Sequence, residues 1–239
     1  MCTVSWLHDA EGYQLFCNRD EKRERGPALL PREGARHGVR YLAPIDTDYG
    51  GTWIATNEFG ISLCLLNRNT SSGGRPFQSR GRLPIQLIDA RSISGVLERI
   101  SATDLSPFAP FTLAILEPGQ PAAIVEWDGS ERVVLPAGEL YLPLTSSSFD
   151  AEGVREVRRE EYFQLSGSAA GPTAQSLLAL HASHNSGPSA FSTCMHRADA
   201  ETVSFSWVKV TGSETSFYYT PAAPCKQLPG ETVRLARHQ

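Results

Sequence analysis

The sequence predicts an α+β fold, and three observations predict it. Short β-prone runs pair across turn residues as hairpins, helical periodicity falls in blocks between those hairpins, and neither a Pro/Ser-rich linker nor an internal repeat divides the chain. One domain over residues 1–239 follows. A chain of this length buries roughly 70–75% of its unfolded surface without staples. Its 41% hydrophobic, 9% aromatic and 20% charged residues exclude disordered, collagen-like and coiled-coil classes. A net charge of -4 offers no basic footprint, so no nucleic-acid partner is expected. No run reaches the ~18 apolar residues of a membrane span, and the N-terminus lacks the basic and apolar regions of a signal peptide, so the expected location is cytoplasmic.

Taken in order, residues 2–7 are apolar and β-prone, 8–12 form a turn and 13–18 return, a first hairpin that puts Cys2 at the start of a strand. Residues 22–48 mix Arg, Glu, Gly and Pro without a period and are expected to form a long surface loop bordering a pocket. A second, buried hairpin pairs 52–57 with 61–67 across Glu58-Phe59-Gly60. A Ser/Gly/Arg-rich loop at 69–82 is expected to be mobile. Beyond it, the spacing of Ile85, Ile88, Ile93, Val96, Leu97 and Ile100 predicts a helix over 83–100, which Gly95 weakens. Strands at 111–116, 122–127 and 132–135 are punctuated by Pro118-Gly119 and Asp128-Gly129. Amphipathic helices follow at 152–165 and 172–181, the second with proline near its start, and a last hairpin pairs 201–210 with 216–220.

The five cysteines, Cys2, Cys17, Cys64, Cys194 and Cys225, include no Cys-x-x-Cys pair and no histidine at zinc-finger spacing, so no metal centre is expected. Cys17 and Cys64 fall inside apolar runs and read as core thiols. Cys2 follows the initiator methionine. With Met1 removed, it would combine a thiol of ordinary pKa ~8.5 with an α-amine of ~7.7–8.0, a nucleophile beside its own general base. Asn18-Arg19-Asp20-Glu21 closes the first hairpin near that strand start, where Asp20 could orient the α-amine and Arg19 hold the carboxylate or a substrate anion; a charged turn leading into solvent is the plainer reading. His181 and His184, three apart near a helix end, and His196 could ligate a metal or haem, but charge at a helix C-terminus is the commoner use. Trp53, Trp127 and Trp207 suit core or pocket lining. No phosphate loop, dinucleotide fingerprint or serine elbow occurs.

Met1-Cys2-Thr3 and Asn18-Arg19-Asp20-Glu21 carry a resemblance to the NRDE family, also called the transport and Golgi organisation protein 2 family. Gly50-Gly51-Thr52-Trp53, Asn57-Glu58-Phe59-Gly60-Ile61, Leu66-Asn67, Cys194-Met195-His196 and Glu201-Thr202-Val203-Ser204 support it in order. The family is similar in turn to N-terminal-nucleophile hydrolases of the bile-salt hydrolase, penicillin V acylase and acyl-coenzyme A acyltransferase type. The resemblance implies a four-layer αββα sandwich in which Cys2 attacks a linear amide, Asp20 and Arg19 match the acid and base beside the nucleophile, and Asn67 with a backbone N–H forms the oxyanion hole. Two departures stand out: Cys17 occupies the place of the hydrolases' arginine, and a further family asparagine is replaced by Ser146 or Ser147. The expected function is an amidohydrolase or acyltransferase acting on a small-molecule amide without a cofactor, with Asn18, Trp53 and Ser147 contacting substrate. The alternative is a non-catalytic binding or trafficking protein for haem or lipid, with Cys2, His181, His184 or His196 as ligand.

Overall fold

Strand β1 (Cys2–Asp9) is buried over its first six residues and β2 (Gly12–Lys22) over its first nine. Burial without alternation means protein covers both faces of the pair. The computed structural model describes residues 2–68, 78–167, 171–184, 187–227 and 230–238. The remaining elements are β3 (Leu29–Arg36), β4 (Val39–Ile45), β5 (Ile54–Asn57), β6 (Ser62–Asn67), α1 (Arg82–Leu87), α2 (Ile93–Ala102), β7 (Phe111–Leu116), β8 (Ala123–Trp127), β9 (Arg132–Leu135), a 3-10 turn (Gly138–Tyr141), β10 (Leu144–Ser146), α3 (Ala151–Ser166), α4 (Ala174–Ala182), β11 (Ala200–Val210), β12 (Glu214–Thr220) and β13 (Glu231–Ala236). Six strands form one sheet in the order β10-β1-β2-β11-β12-β13, seven form the other in the order β3-β4-β5-β6-β7-β8-β9, and every pair is antiparallel.

The sheets face each other across a core in which Val4, Trp6 and Leu15 of the first meet Leu66, Ala114 and Ile124 of the second. Outside the first sheet lie α3 and α4, whose Tyr162, Leu177 and Leu180 belong to the same buried cluster on that sheet's outer face, while Leu83, Leu87, Val96 and Ile100 of α1 and α2 cover Leu63, Leu65, Leu113 and Val125 on the outer face of the second. Helices, sheet, sheet, helices is the αββα order. Each fully buried Leu or Val contributes roughly 1.5–3 kcal/mol, and it is these four layers that turn β1 into a strand with no solvent face. Among the described residues, no helix is long and apolar enough to cross a membrane.

Three expectations need correction. Residues 22–48 are not one loop: β3 and β4 form a hairpin there, turning at His37-Gly38 with φ of 46° and 81°. β3 is an edge strand largely open to solvent, so it carries no apolar alternation to reveal it. The helix expected over 83–100 is two helices, because the side-chain amide of Asn57 donates to the carbonyls of Ile88 (2.6 Å) and Ala90 (2.7 Å), and Ser92 starts α2 by accepting from the Gly95 N–H (3.1 Å). The segment Asn18-Arg19-Asp20-Glu21 is not a turn but the continuation of β2, paired with both β1 and β11. The short β10 and the exposed, terminal β13 were not expected. The mobile loop expected at 69–82 lies mostly outside the described residues; its last part begins α1.

Candidate active site

Cross-strand register builds the site. Cys2 pairs with Arg19 and Val4 with Cys17, so alternation puts the Cys2, Cys17 and Arg19 side chains on the face turned to the second sheet, and Thr3, Asn18 and Asp20 on the face turned to the helices. The Cys2 N–H donates to Ser146 Oγ of β10 (2.9 Å), which fixes the start of the strand. A hydrogen bond with the Cys17 thiol, then burial, pushes the Cys2 thiol well above the ordinary cysteine range. Cys17 interacts in turn with Cys2, which pulls its pKa down, and with Cys64 across the sheets, which together with burial leaves it well raised. The positive chain N-terminus pulls the other way but does not prevail, so a nucleophile here needs a base within reach of Sγ.

On the helix-facing side, Asp20 and Arg158 of α3 form a buried pair, Nη1 to Oδ2 3.7 Å. Thr202 donates to Asp20 Oδ1 (2.6 Å) and Arg158 donates to Thr3 Oγ1 (2.5 Å) and to the carbonyls of Phe191 and Ala190 (both 3.3 Å). Burial raises the Asp20 pKa against the opposing pull of Arg158 and Thr202. Sequence reading missed Arg158, although its spacing from Val154 and Tyr162 puts a charge on the buried stripe of a helix, the signal that marks it.

Cys2, Arg19 and Asn67 line one cavity of about 390 Å3, with Trp53, Thr52, Glu21, Arg25, Asp46 and Arg80 among its walls. Arg19 stacks on Trp53 (4.3 Å to the ring centre) and reaches Asp46 (3.2 Å) and Glu21 (3.4 Å). Arg25 is held by Asp46 and by Asp48 (2.8 Å). Arg80 donates to the Pro110 carbonyl (2.8 Å) and, among the described residues, has no carboxylate within ion-pair distance. The buried Trp53 indole N–H has no acceptor among the described residues. The rim depends on a close backbone approach: a Cβ on Gly51 would sit 2.5 Å from the Gly81 carbonyl carbon, where Thr52 N–H now donates to Gly81 O (2.9 Å).

Cys2, Arg19, Asp20, Asn67 and Trp53 are thus brought around one strand start, Asp20 from beneath it, but two expected substrate contacts are not. Asn18 is fully buried on the helix side; its amide donates to the carbonyls of His181 (2.9 Å) and Thr193 (2.8 Å), and its Oδ1 accepts from His181 Nδ1 (3.1 Å). Ser147 closes its own turn, donating to Phe149 O (2.5 Å) and accepting from Phe149 N (3.1 Å), and is not among the residues lining the cavity; Ser146 is the serine at Cys2. His181 is not a helix-terminal charge either. Its Nε2 is engaged by Ser5 Oγ (2.8 Å), and burial lowers its pKa to about 3, so it is a neutral core residue. The expectation of no metal centre rested on spacing along the chain, yet His184, Cys194, His196 and Cys225 converge with ligand atoms all within 4.8 Å of one another.

The sequence profile of the family Transport and Golgi organisation 2 matches residues 1–177. No curated protein matches the sequence. Among solved structures, the chain is similar to penicillin V acylase from Agrobacterium tumefaciens (14% identity, TM-score 0.58, 99% of this chain and 86% of that one). It is also similar to the Caenorhabditis elegans ortholog of N-acylethanolamine-hydrolyzing acid amidase (13%, TM-score 0.61, 87% and 92%) and to a variant of conjugated bile acid hydrolase from Clostridium perfringens (13%, TM-score 0.54, 98% and 96%). At such identities the likeness establishes the fold, the four-layer αββα arrangement of N-terminal-nucleophile hydrolases.

Proposed function

The chain belongs to the Transport and Golgi organisation 2 family, and from that membership and the site geometry we propose that it is a cysteine N-terminal-nucleophile amidohydrolase or acyltransferase acting on a linear amide C–N bond. The observation that carries the reading is the opening of Cys2, Arg19 and Asn67 onto one cavity. With Met1 removed, the α-amine of Cys2 takes the thiol proton as Sγ attacks the amide carbonyl. The Asn67 amide and a backbone N–H donate to the oxyanion, a preorganised contact worth ~3–4 kcal/mol. Collapse breaks the C–N bond, the leaving amine carries off the proton, and water, or an acceptor amine, then cleaves the thioester. Asp20 orients the α-amine from the helix side, and Arg19 secures the cavity wall.

Glu21, Asp46 and Asp48 pair with Arg19 and Arg25, while Arg80 on the same cavity has no carboxylate within ion-pair distance among the described residues, which favours an amide that also bears an anionic group. Arg80 is the guanidinium left for it. A screen of small amides with and without a carboxylate tests both parts. Cys2→Ala should lower turnover of any hit by roughly 10³-fold or more with its melting temperature nearly unchanged, and full activity in that variant would overturn the mechanism. For a haem-binding reading on the same fold, Cys2 is the candidate ligand that lines the cavity, while His181 is committed to the core and neither His184 nor His196 lines it.

A further inference from the structure

We propose that His184, Cys194, His196 and Cys225 hold one zinc ion in a closed tetrahedral site that braces the active-site strand from behind. The four residues come from three segments: the end of α4, the irregular stretch before β11 and the connection after β12. Their ligand atoms nevertheless lie within 4.8 Å of one another, with Cys194 Sγ 3.6 Å and Cys225 Sγ 3.5 Å from His196 Nε2. A tetrahedral ion with Zn–S of ~2.3 Å and Zn–N of ~2.0–2.1 Å separates sulfur from nitrogen by about 3.6 Å. The two sulfur–nitrogen separations already have the dimensions of the ion, and the other ligand atoms, all within 4.8 Å, need to close by no more than about 1.5 Å.

Two further observations point inward. His184 Nε2 is buried without a hydrogen-bond partner among the described residues, a polar atom that a metal would satisfy. Glu201 Oε2 lies 3.7 Å from His196 Nδ1, the ring nitrogen facing away from the cluster, so a carboxylate stands on the side from which an approach of under about 1 Å would fix the tautomer that presents Nε2. Two thiolates balance the charge of Zn2+, and binding releases their two protons. Two sulfur and two nitrogen ligands fill the shell and leave no open position, which makes the ion structural.

Its mechanical consequence runs to Asp20. Next to Cys194, the Met195 N–H donates to Thr202 Oγ1 (2.8 Å), the hydroxyl that donates to Asp20, and the same stretch supplies the carbonyls that hold Arg158. None of this depends on whether Cys2 is a nucleophile.

The test is metal content and cobalt spectroscopy on the untagged full chain. Reduced protein loaded with zinc and passed through a weak chelator should retain close to one ion per chain, and cobalt in its place should give the thiolate charge-transfer and intense visible bands of tetrahedral coordination. Cys225→Ser changes an exposed residue and should keep the fold, read by circular dichroism, while weakening zinc roughly 100-fold or more; Glu201→Gln should weaken it 10–100-fold. A reduced chain that retains no zinc, or a cobalt spectrum unchanged in Cys225→Ser, would each overturn the site.

Discussion

At the scale of single residues, the chemistry is divided between the two faces of one strand pair. The Cys2 thiol looks into the inter-sheet cavity, while Asp20 and Arg158 lie under the same backbone on the helix side. Arg80 should act in binding: Arg80→Gln is expected to raise KM for a carboxylate-bearing amide about 10-fold or more with little change in kcat, and to leave neutral amides unaffected, in steady-state assays. His181 sets a pH dependence. Its folded pKa is about 3 against an ordinary 6.5, so between those values the unfolded chain binds a proton there that the folded chain excludes. Stability from this residue is complete above pH ~6.5 and is lost as pH falls toward 3, by at most about 1.4 kcal/mol per pH unit. Urea unfolding at pH 6.5 and 5 should show this loss in the native protein and a shallower one in His181→Gln. Cys2, Arg19, Asp20 and Asn67 were named through the resemblance to a family motif; strand periodicity stopped at Asn18 and left Arg19 and Asp20 as a turn, whereas β2 carries both past the start of β1. Arg158 and Arg80 reach the site through tertiary packing, for which sequence spacing gives no sign beyond one charge on a helix's apolar stripe, and Ser146 was named only as one of two serines.

Elements were legible where burial imposes a pattern. β1, β2 and β5 to β8 are covered by other layers and show it as largely apolar runs, β11 shows it as alternation, whereas β3 and β13 are solvent-exposed edges whose composition is that of a loop. The break between α1 and α2 was invisible for a different reason: helical spacing continues through it, and the interruption is imposed by Asn57 from another strand. That side chain also accepts from the N–H groups of Phe59 and Ile61 (both 3.0 Å), so it shapes its own turn and anchors the helices at once. Asn57→Ala strands two carbonyls and two amides and is expected to cost about 2–4 kcal/mol, read as a lower urea midpoint at unchanged slope.

Over the whole molecule, the two sheets are joined by more than the core between them. The segment after β13 crosses from the first sheet to the turn of the second: Arg237 donates to Thr211 O (2.6 Å) and Phe59 O (2.9 Å), its own N–H to Ser213 O (2.9 Å), and the His238 N–H to Glu58 O (2.8 Å). Chain ends ordinarily fray and trade their amide protons with solvent within moments. Here the His238 amide is held by the Glu58 carbonyl, so it exchanges only when that bridge lets go. Deuterium uptake at the His238 amide should therefore be slower than at an unbonded exposed amide, and Arg237→Ala, which removes the contacts to Thr211 and Phe59, should speed it.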